Sequence, residues 1–239
     1  MPAKKSSPQL LPIDLYELTT EDKKRFAAEI TLGMVAPQDP RLRLAAEAVD
    51  PAAIGSPDIQ QVVQRLLDVA GAQQHGDIKG GKKRMLVGLA APQVGQSLRI
   101  CVVDTKIDAQ RKVPGKLECF VNPQIIWRSR ETEEGREGCF SAGPVWGLVR
   151  RPVAVKIRAF TPEGEQVERI FEGFTARIVQ HEIDHLDGIR FPDRIKSDKK
   201  RHWVHTEEIL LYPQNIHHWP RTCSFKRWEA FKRSGATNL

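Results

Sequence analysis

Residues 181–188 read HEIDHLDG. On a helix, positions i and i+4 share a face, so His181 and His185 can hold one metal ion between them. Glu182 then stands beside that ion, where a bound water needs a base. Two histidines leave an ion short of protein ligands, and a third must come from outside the helix. Glu207 and Glu208 follow His185 by 22 and 23 residues, a spacing that suits a zinc endopeptidase with a glutamate ligand. Cys139 lies 42 residues before His181 in EGCFSAG. Its thiolate would bind zinc or ferrous iron, and the adjacent Gly138 lets backbone approach closely. Spacing alone leaves both open.

The elements that must position these residues are legible in outline. Thr19 or Thr20 can cap a short helix running to about residue 32. Ser56-Pro57-Asp58 opens another, with Ile59, Val62, Val63, Leu66, Leu67 and Ala70 along one face. Residues 71–84, GAQQHGDIKGGKKR, read as a loop, and residues 1–10 as disordered. Short β-like runs follow at 98–104, 117–122, 153–160 and 166–171, divided by turns such as Thr161-Pro162-Glu163-Gly164. A helix over about 173–187 carries both histidines and can stop at Gly188. Strands cluster in the middle with helices before and after, which predicts an α+β fold instead of a doubly wound sheet.

Composition narrows the class. With 239 residues, 40% of them hydrophobic and 28% charged, the chain reads as an ordinary soluble protein able to bury a core. No apolar run approaches the ~20 residues of a membrane span, and MPAKKSSPQLLP lacks the apolar centre of a secretory signal. The four cysteines are widely spaced, which suits a reducing compartment and places the expected location in the cytoplasm. Cys101 and Cys119 sit in apolar runs and read as packing residues. Of the net charge of +7, residues 194–239 carry +6, from 10 Lys and Arg against 4 Asp and Glu. Trp203, Trp219 and Trp228 lie there too. One reading is a segment docked on the body by its tryptophans. The other is a basic surface on which Lys199, Lys200, Arg201, Lys226 and Arg227 meet ribosomal or other RNA phosphates while Trp203 and Trp228 stack.

A third stretch separates the metal alternatives. GLAAPQVG at 88–95, EGCFS at 137–141 and HEIDHLDG, in this order, resemble the three signature motifs of peptide deformylases. Asp39 to Arg43, Asn122-Pro123 and Gly147 to Pro152 resemble supporting segments of that family. The likeness covers roughly residues 36–193, which divides the chain into a catalytic domain, 1–193, and a basic extension, 194–239.

The resemblance implies antiparallel β-sheets around a central metal-binding helix. Cys139, His181 and His185 would be the ligands, with Fe2+ the usual ion and Zn2+, Ni2+ or Co2+ able to substitute. Glu182 would be the general base. Gln93 and the backbone N–H of Phe140 would stabilise the oxyanion of a tetrahedral intermediate. Val87, Phe174 and Ile178 would face a methionine side chain, and Gly88, Glu137 and Gly138 would also contact substrate. That substrate would be an N-formyl-methionyl nascent peptide. Asp184 has two readings, a surface charge or a brace bonded to a basic partner such as Arg151. Three features depart from the family pattern. Leu86 stands where a glycine is usual, the glycine-lysine segment before it is long, and Ser141 to Trp146 replaces a more typical run.

Overall fold

Thr19 opens the first element. Its hydroxyl accepts from the Asp22 N–H, and the Asp22 carboxylate accepts from the Thr19 N–H, a capping box that starts helix α1 (Thr20–Thr31). The computed structural model describes residues 17–75, 86–107 and 115–234. The disorder expected over residues 1–10 lies outside them, as does most of the loop expected over 71–84. Helix α2 (Pro57–His75) takes residues 71–75 of that loop. Ala72, Gln73 and Gln74 are good helix formers, and Gly71 costs only about 1 kcal/mol inside a helix.

Eight strands follow among the described residues: β1 (Gly88–Ala90), β2 (Ile100–Asp104), β3 (Leu117–Arg128), β4 (Thr132–Gly138), β5 (Val145–Pro152), β6 (Ala154–Phe160), β7 (Gln166–Glu172) and β8 (Arg201–Trp203). They form two antiparallel sheets, ordered β1-β2-β3-β6-β7 and β4-β5-β8. β3 runs past the expected 117–122 because its register shifts between Val121 and Gln124, letting Pro123 fit without a ladder hydrogen bond. Asn122 takes the left-handed conformation there (φ 52°) and exchanges two hydrogen bonds with the backbone of Val49.

Helix α3 (Gly173–Leu186) packs against β1, β2, β6 and β7 of the larger sheet and β5 of the smaller. Ala176, Ile178, Val179, Ile183 and Leu186 enter one buried cluster with Val103, Phe120 and Ile157. Each large side chain so buried contributes roughly 1.5–3 kcal/mol. Gly188 (φ 71°) ends the helix, and a Cβ there would strike the backbone of Leu44 at 2.7 Å.

The segment after α3 is not set apart from the sheets. Helix α4 (Phe191–Arg194) leads into β8, which pairs with β5, and α5 (Tyr212–Asn215) and α6 (Phe225–Arg233) follow. Trp203 and Trp228 are buried with Cys223, Val145, Val149 and Phe191. Arg201 is 1% exposed and donates to the carbonyls of Pro192, Ile195 and Cys223, while Lys200 pairs with Glu134. The docked reading therefore holds for these residues. The basic-surface reading is corrected at Arg201, Trp203 and Trp228, whose groups are engaged inside the protein and cannot meet phosphates or bases.

The same segment is tied to α1 through Asp22, which accepts from His205 Nδ1 at 2.7 Å and from the Thr206 N–H and hydroxyl. Burial opposes ionisation of Asp22, but these bonds outweigh it and hold the carboxyl below its usual range. The stability this contributes is present above the unfolded carboxyl pKa, about 3.9, and is lost as pH falls through the lower folded value. Asp22→Asn should therefore lower stability by about 1–3 kcal/mol at pH 7. Its deficit relative to wild type should narrow below about pH 4, read by urea unfolding at each pH. A deficit unchanged from pH 7 to 3 would remove this role.

Candidate metal centre

Cys139 lies between β4 and a short turn, Phe140–Ala142, and α3 presents His181 and His185 one turn apart. The donor atoms of these three residues lie within 4.8 Å of one another, with Cys139 Sγ 3.4 Å from His185 Nε2. No other such cluster occurs among the described residues. Glu207 is engaged elsewhere, accepting from the Thr19 hydroxyl, and Glu208 is buried against Arg221. The choice that spacing left open falls to the thiolate.

His181 is oriented from behind. Its Nδ1 is 2.8 Å from Glu137 Oε2. Glu137 also accepts two bonds from Arg151, at 2.6 and 2.9 Å, and one from Arg177 at 2.9 Å. Burial would raise the Glu137 carboxyl, but Arg151 and His181 together hold it far below the usual carboxylate range. An ionised carboxylate can only accept, so Nδ1 carries a proton and Nε2 faces Cys139. Burial disfavours a charged ring, yet the bonds to Cys139 and Glu137 hold His181 well above the ordinary imidazole range. A thiolate and two imidazoles are a donor set for a borderline divalent cation, and these residues fit one.

Arg151 reaches on to Asp184 at 2.8 Å, and Arg194 closes on the same carboxylate at 2.6 Å. Asp184 is therefore the brace and not a surface charge. Glu137 was expected at the substrate, but its carboxylate is taken up by Arg151, Arg177 and His181. Only its backbone is left for a peptide.

Glu182 is 3% exposed, and its Oε2 has no hydrogen-bond partner. Burial pushes its carboxyl up to about 7. The side chain lies against β1: a Cβ on Gly88 would come within 2.8 Å of Glu182 Cγ and Cδ, which explains the glycine. Gln93 is buried, its Oε1 fixed by the Ala90 N–H at 2.8 Å. Its Nε2 points toward Ser141 Oγ (3.1 Å) and Cys139 Sγ (3.5 Å), so a donor is held at the site. Phe140 is buried edge-on against Phe26. Val87, Phe174 and Ile178 meet in one apolar cluster, as a methionine pocket would require. A Cβ on Gly138 would overlap the ring of Trp146, its cross-strand partner. Leu86 packs into the cluster formed with α2.

Sequence reasoning missed three residues that shape this site. Arg177, Arg194 and Arg190 are single arginines in ordinary local contexts, and only the fold reveals what they touch.

The sequence profile of the polypeptide deformylase family matches residues 32–201, most of the chain and every residue of this cluster. The chain belongs to the polypeptide deformylase family. The match runs past residue 193 into β8 and leaves α6 outside. Among curated deformylases, that of Pseudothermotoga lettingae is 45% identical over 114 residues, covering 48% of this chain and 61% of that protein. That of Desulforudis audaxviator is 47% identical over 115 residues, covering 48% of this chain and 70% of its own length. The chain thus spans roughly two thirds or less of several curated relatives it matches, 61% in the first case. Among solved structures, the class I type b deformylase of Acinetobacter baumannii bound to Met-Ala-Ser superposes with a TM-score of 0.59 at 34% identity, covering 68% of this chain and 96% of that one. Arabidopsis thaliana deformylase 1B gives 0.58 at 27% identity, covering 83% and 88%. The mixed helix and antiparallel-sheet fold is therefore a deformylase fold. No helix among the described residues is long and apolar enough to cross a membrane.

Proposed function

We propose that this chain removes the formyl group from N-formyl-methionyl nascent peptides, releasing formate and a free amino terminus. The observation that carries the reading is the Cys139, His181 and His185 cluster with an unpartnered Glu182 oxygen, Oε2, beside it. The ion proposed is Fe2+, with Zn2+, Ni2+ or Co2+ able to take its place, and α3 is its helix. When bound, it would supply Lewis acidity to water and to the formyl carbonyl.

The chain's own groups do the rest. Glu182 Oε2 takes the proton of the attacking water and returns it to the departing nitrogen as the formyl C–N bond breaks. Gln93 Nε2 and the Phe140 N–H donate to the carbonyl oxygen as it becomes anionic. The backbone of Gly88 and Gly138 meets the peptide, their missing Cβ atoms leaving space for Glu182 and Trp146, and Val87, Phe174 and Ile178 receive the methionine side chain. Widely spaced cysteines make the cytoplasm the proposed compartment. A ribosome or RNA contact through the tail is proposed only for exposed residues such as Lys199 and Lys226, because Arg201, Trp203 and Trp228 are buried.

Formate release from formyl-Met-Ala-Ser, in anaerobic buffer after iron loading, tests the reading. Wild type should release formate, and Cys139→Ala should lose bound metal while Glu207→Ala keeps it. An iron-loaded wild type that releases no formate overturns the activity, and metal lost only in Glu207→Ala would restore the endopeptidase alternative.

A further inference from the structure

Arg190 is 1% exposed, and its guanidinium forms no salt bridge among the described residues, with Asp193 and Glu229 acting on its charge only from beyond contact. Its Nη1 donates to two backbone carbonyls from distant parts of the chain, Pro37 O at 2.5 Å and Ser141 O at 2.7 Å. Its Nε and Nη2 are buried without hydrogen-bond partners. A buried cation in that condition is costly unless something else faces it. What faces it is the ring of Trp228 on α6, 4.7 Å from the guanidinium carbon. Trp228 is in turn fixed by Asp193, whose Oδ1 accepts from the indole N–H at 2.6 Å and whose Oδ2 accepts from the backbone N–H of Arg190. Burial lowers the guanidinium's pKa to about 10, so it stays charged at neutral pH.

Ser141 is where this arrangement meets the site. It is fully buried, two residues after Cys139, and its hydroxyl accepts from Gln93 Nε2 while its carbonyl accepts from Arg190. The next turn of the loop is gripped by α6 as well. Gly143 (φ 62°) has no space for a Cβ because the Phe231 ring lies over it. We propose that Arg190 is a positioning residue of the catalytic site, holding the Cys139 loop and Gln93 through Ser141, and that Trp228 keeps its guanidinium in place. Helix α6, beyond the residues the family profile matches, is thereby part of the apparatus that sets the thiolate ligand.

Only the turnover arm of the test rests on the function proposed above. Arg190→Leu and Trp228→Leu would each be loaded with cobalt(II), whose visible absorption reports the thiolate and its geometry independently of turnover. Residues that orient a metal ligand typically change metal affinity or activity by about 10–100-fold when replaced. Both variants should show a shifted cobalt spectrum, about tenfold faster stripping by EDTA, and a kcat about tenfold lower with KM changed less than about threefold. Trp228→Phe, which keeps an aromatic face, should restore the wild-type spectrum. A purely structural role would lower the unfolding midpoint and leave the spectrum of the folded protein untouched. If either leucine variant folds and binds cobalt with the wild-type spectrum and stripping rate, the proposal is overturned. Should wild type release no formate, the deformylase reading fails while the cobalt measurements still decide the role of Arg190.

Discussion

Glu182→Ala should keep its metal and lose turnover by about 10²–10⁴-fold, the usual worth of a positioned acid–base group. Metal should stay because Cys139, His181 and His185 are untouched and His181 is braced from the opposite side by Glu137. Stability should not fall either. The Glu182 carboxylate has an oxygen without a partner, and burial has raised its pKa to about 7. A carboxyl with a folded pKa above its unfolded value costs stability as pH rises through that interval, so above about pH 7 the metal-free wild type carries this penalty and the alanine variant does not. The expected signature is a folded protein with one ion per chain, an unfolding midpoint no lower than wild type, and almost no formate release. Glu182→Gln should behave alike, since its amide fills the space against Gly88 but cannot take a proton. Near wild-type formate release from either variant would show that the base has been misassigned.

How much of this was legible depends on how far apart the partners sit in sequence. The capping box of Thr19 and Asp22, the proline-led start of α2 and the Gly188 stop of α3 are local patterns, and the structure has them where local rules put them. The strand β4 was not legible. Thr-Glu-Glu-Gly-Arg-Glu-Gly has neither alternation nor β-branched weight, and it is a strand because it zips along β5 from Thr132 opposite Pro152 to Gly138 opposite Trp146. β8 is three residues in a basic segment, held by the same sheet. In the site, His181 and His185 are legible as a metal-binding pair from i, i+4 spacing alone, whereas Cys139 as the proposed third ligand needed the ordered motifs around Gln93 and Cys139. The tail shows the limit most clearly. Its charges and tryptophans suit a nucleic-acid surface as well as a docked segment, and only burial shows that Arg201 and Trp228 belong to the docked part.

The other large effect is expected at Arg151, which touches no substrate and no proposed ligand. Its guanidinium lies between two buried carboxylates, forking onto both oxygens of Glu137 and reaching Asp184 with the remaining amine. Arg151→Ala would leave Glu137 with Arg177 and His181, and Asp184 with the half-exposed Arg194, in a space that excludes water. Removing one partner of a buried charge network costs about 3–5 kcal/mol, because the charges left behind remain desolvated. For a chain of this size that lowers the midpoint of thermal unfolding by roughly 10 °C. The same change loosens the acceptor that orients His181, so metal affinity should fall by about 10–100-fold. Arg151→Lys should recover little of either, since one ammonium cannot fork onto Glu137 and also reach Asp184. Denaturant unfolding of the metal-free variants and competition with a chelator for the metal would measure the two losses separately. A stability change under about 1 kcal/mol would mean that Arg177 and Arg194 carry these carboxylates without help, and that Arg151 is dispensable to the helix that bears the histidines.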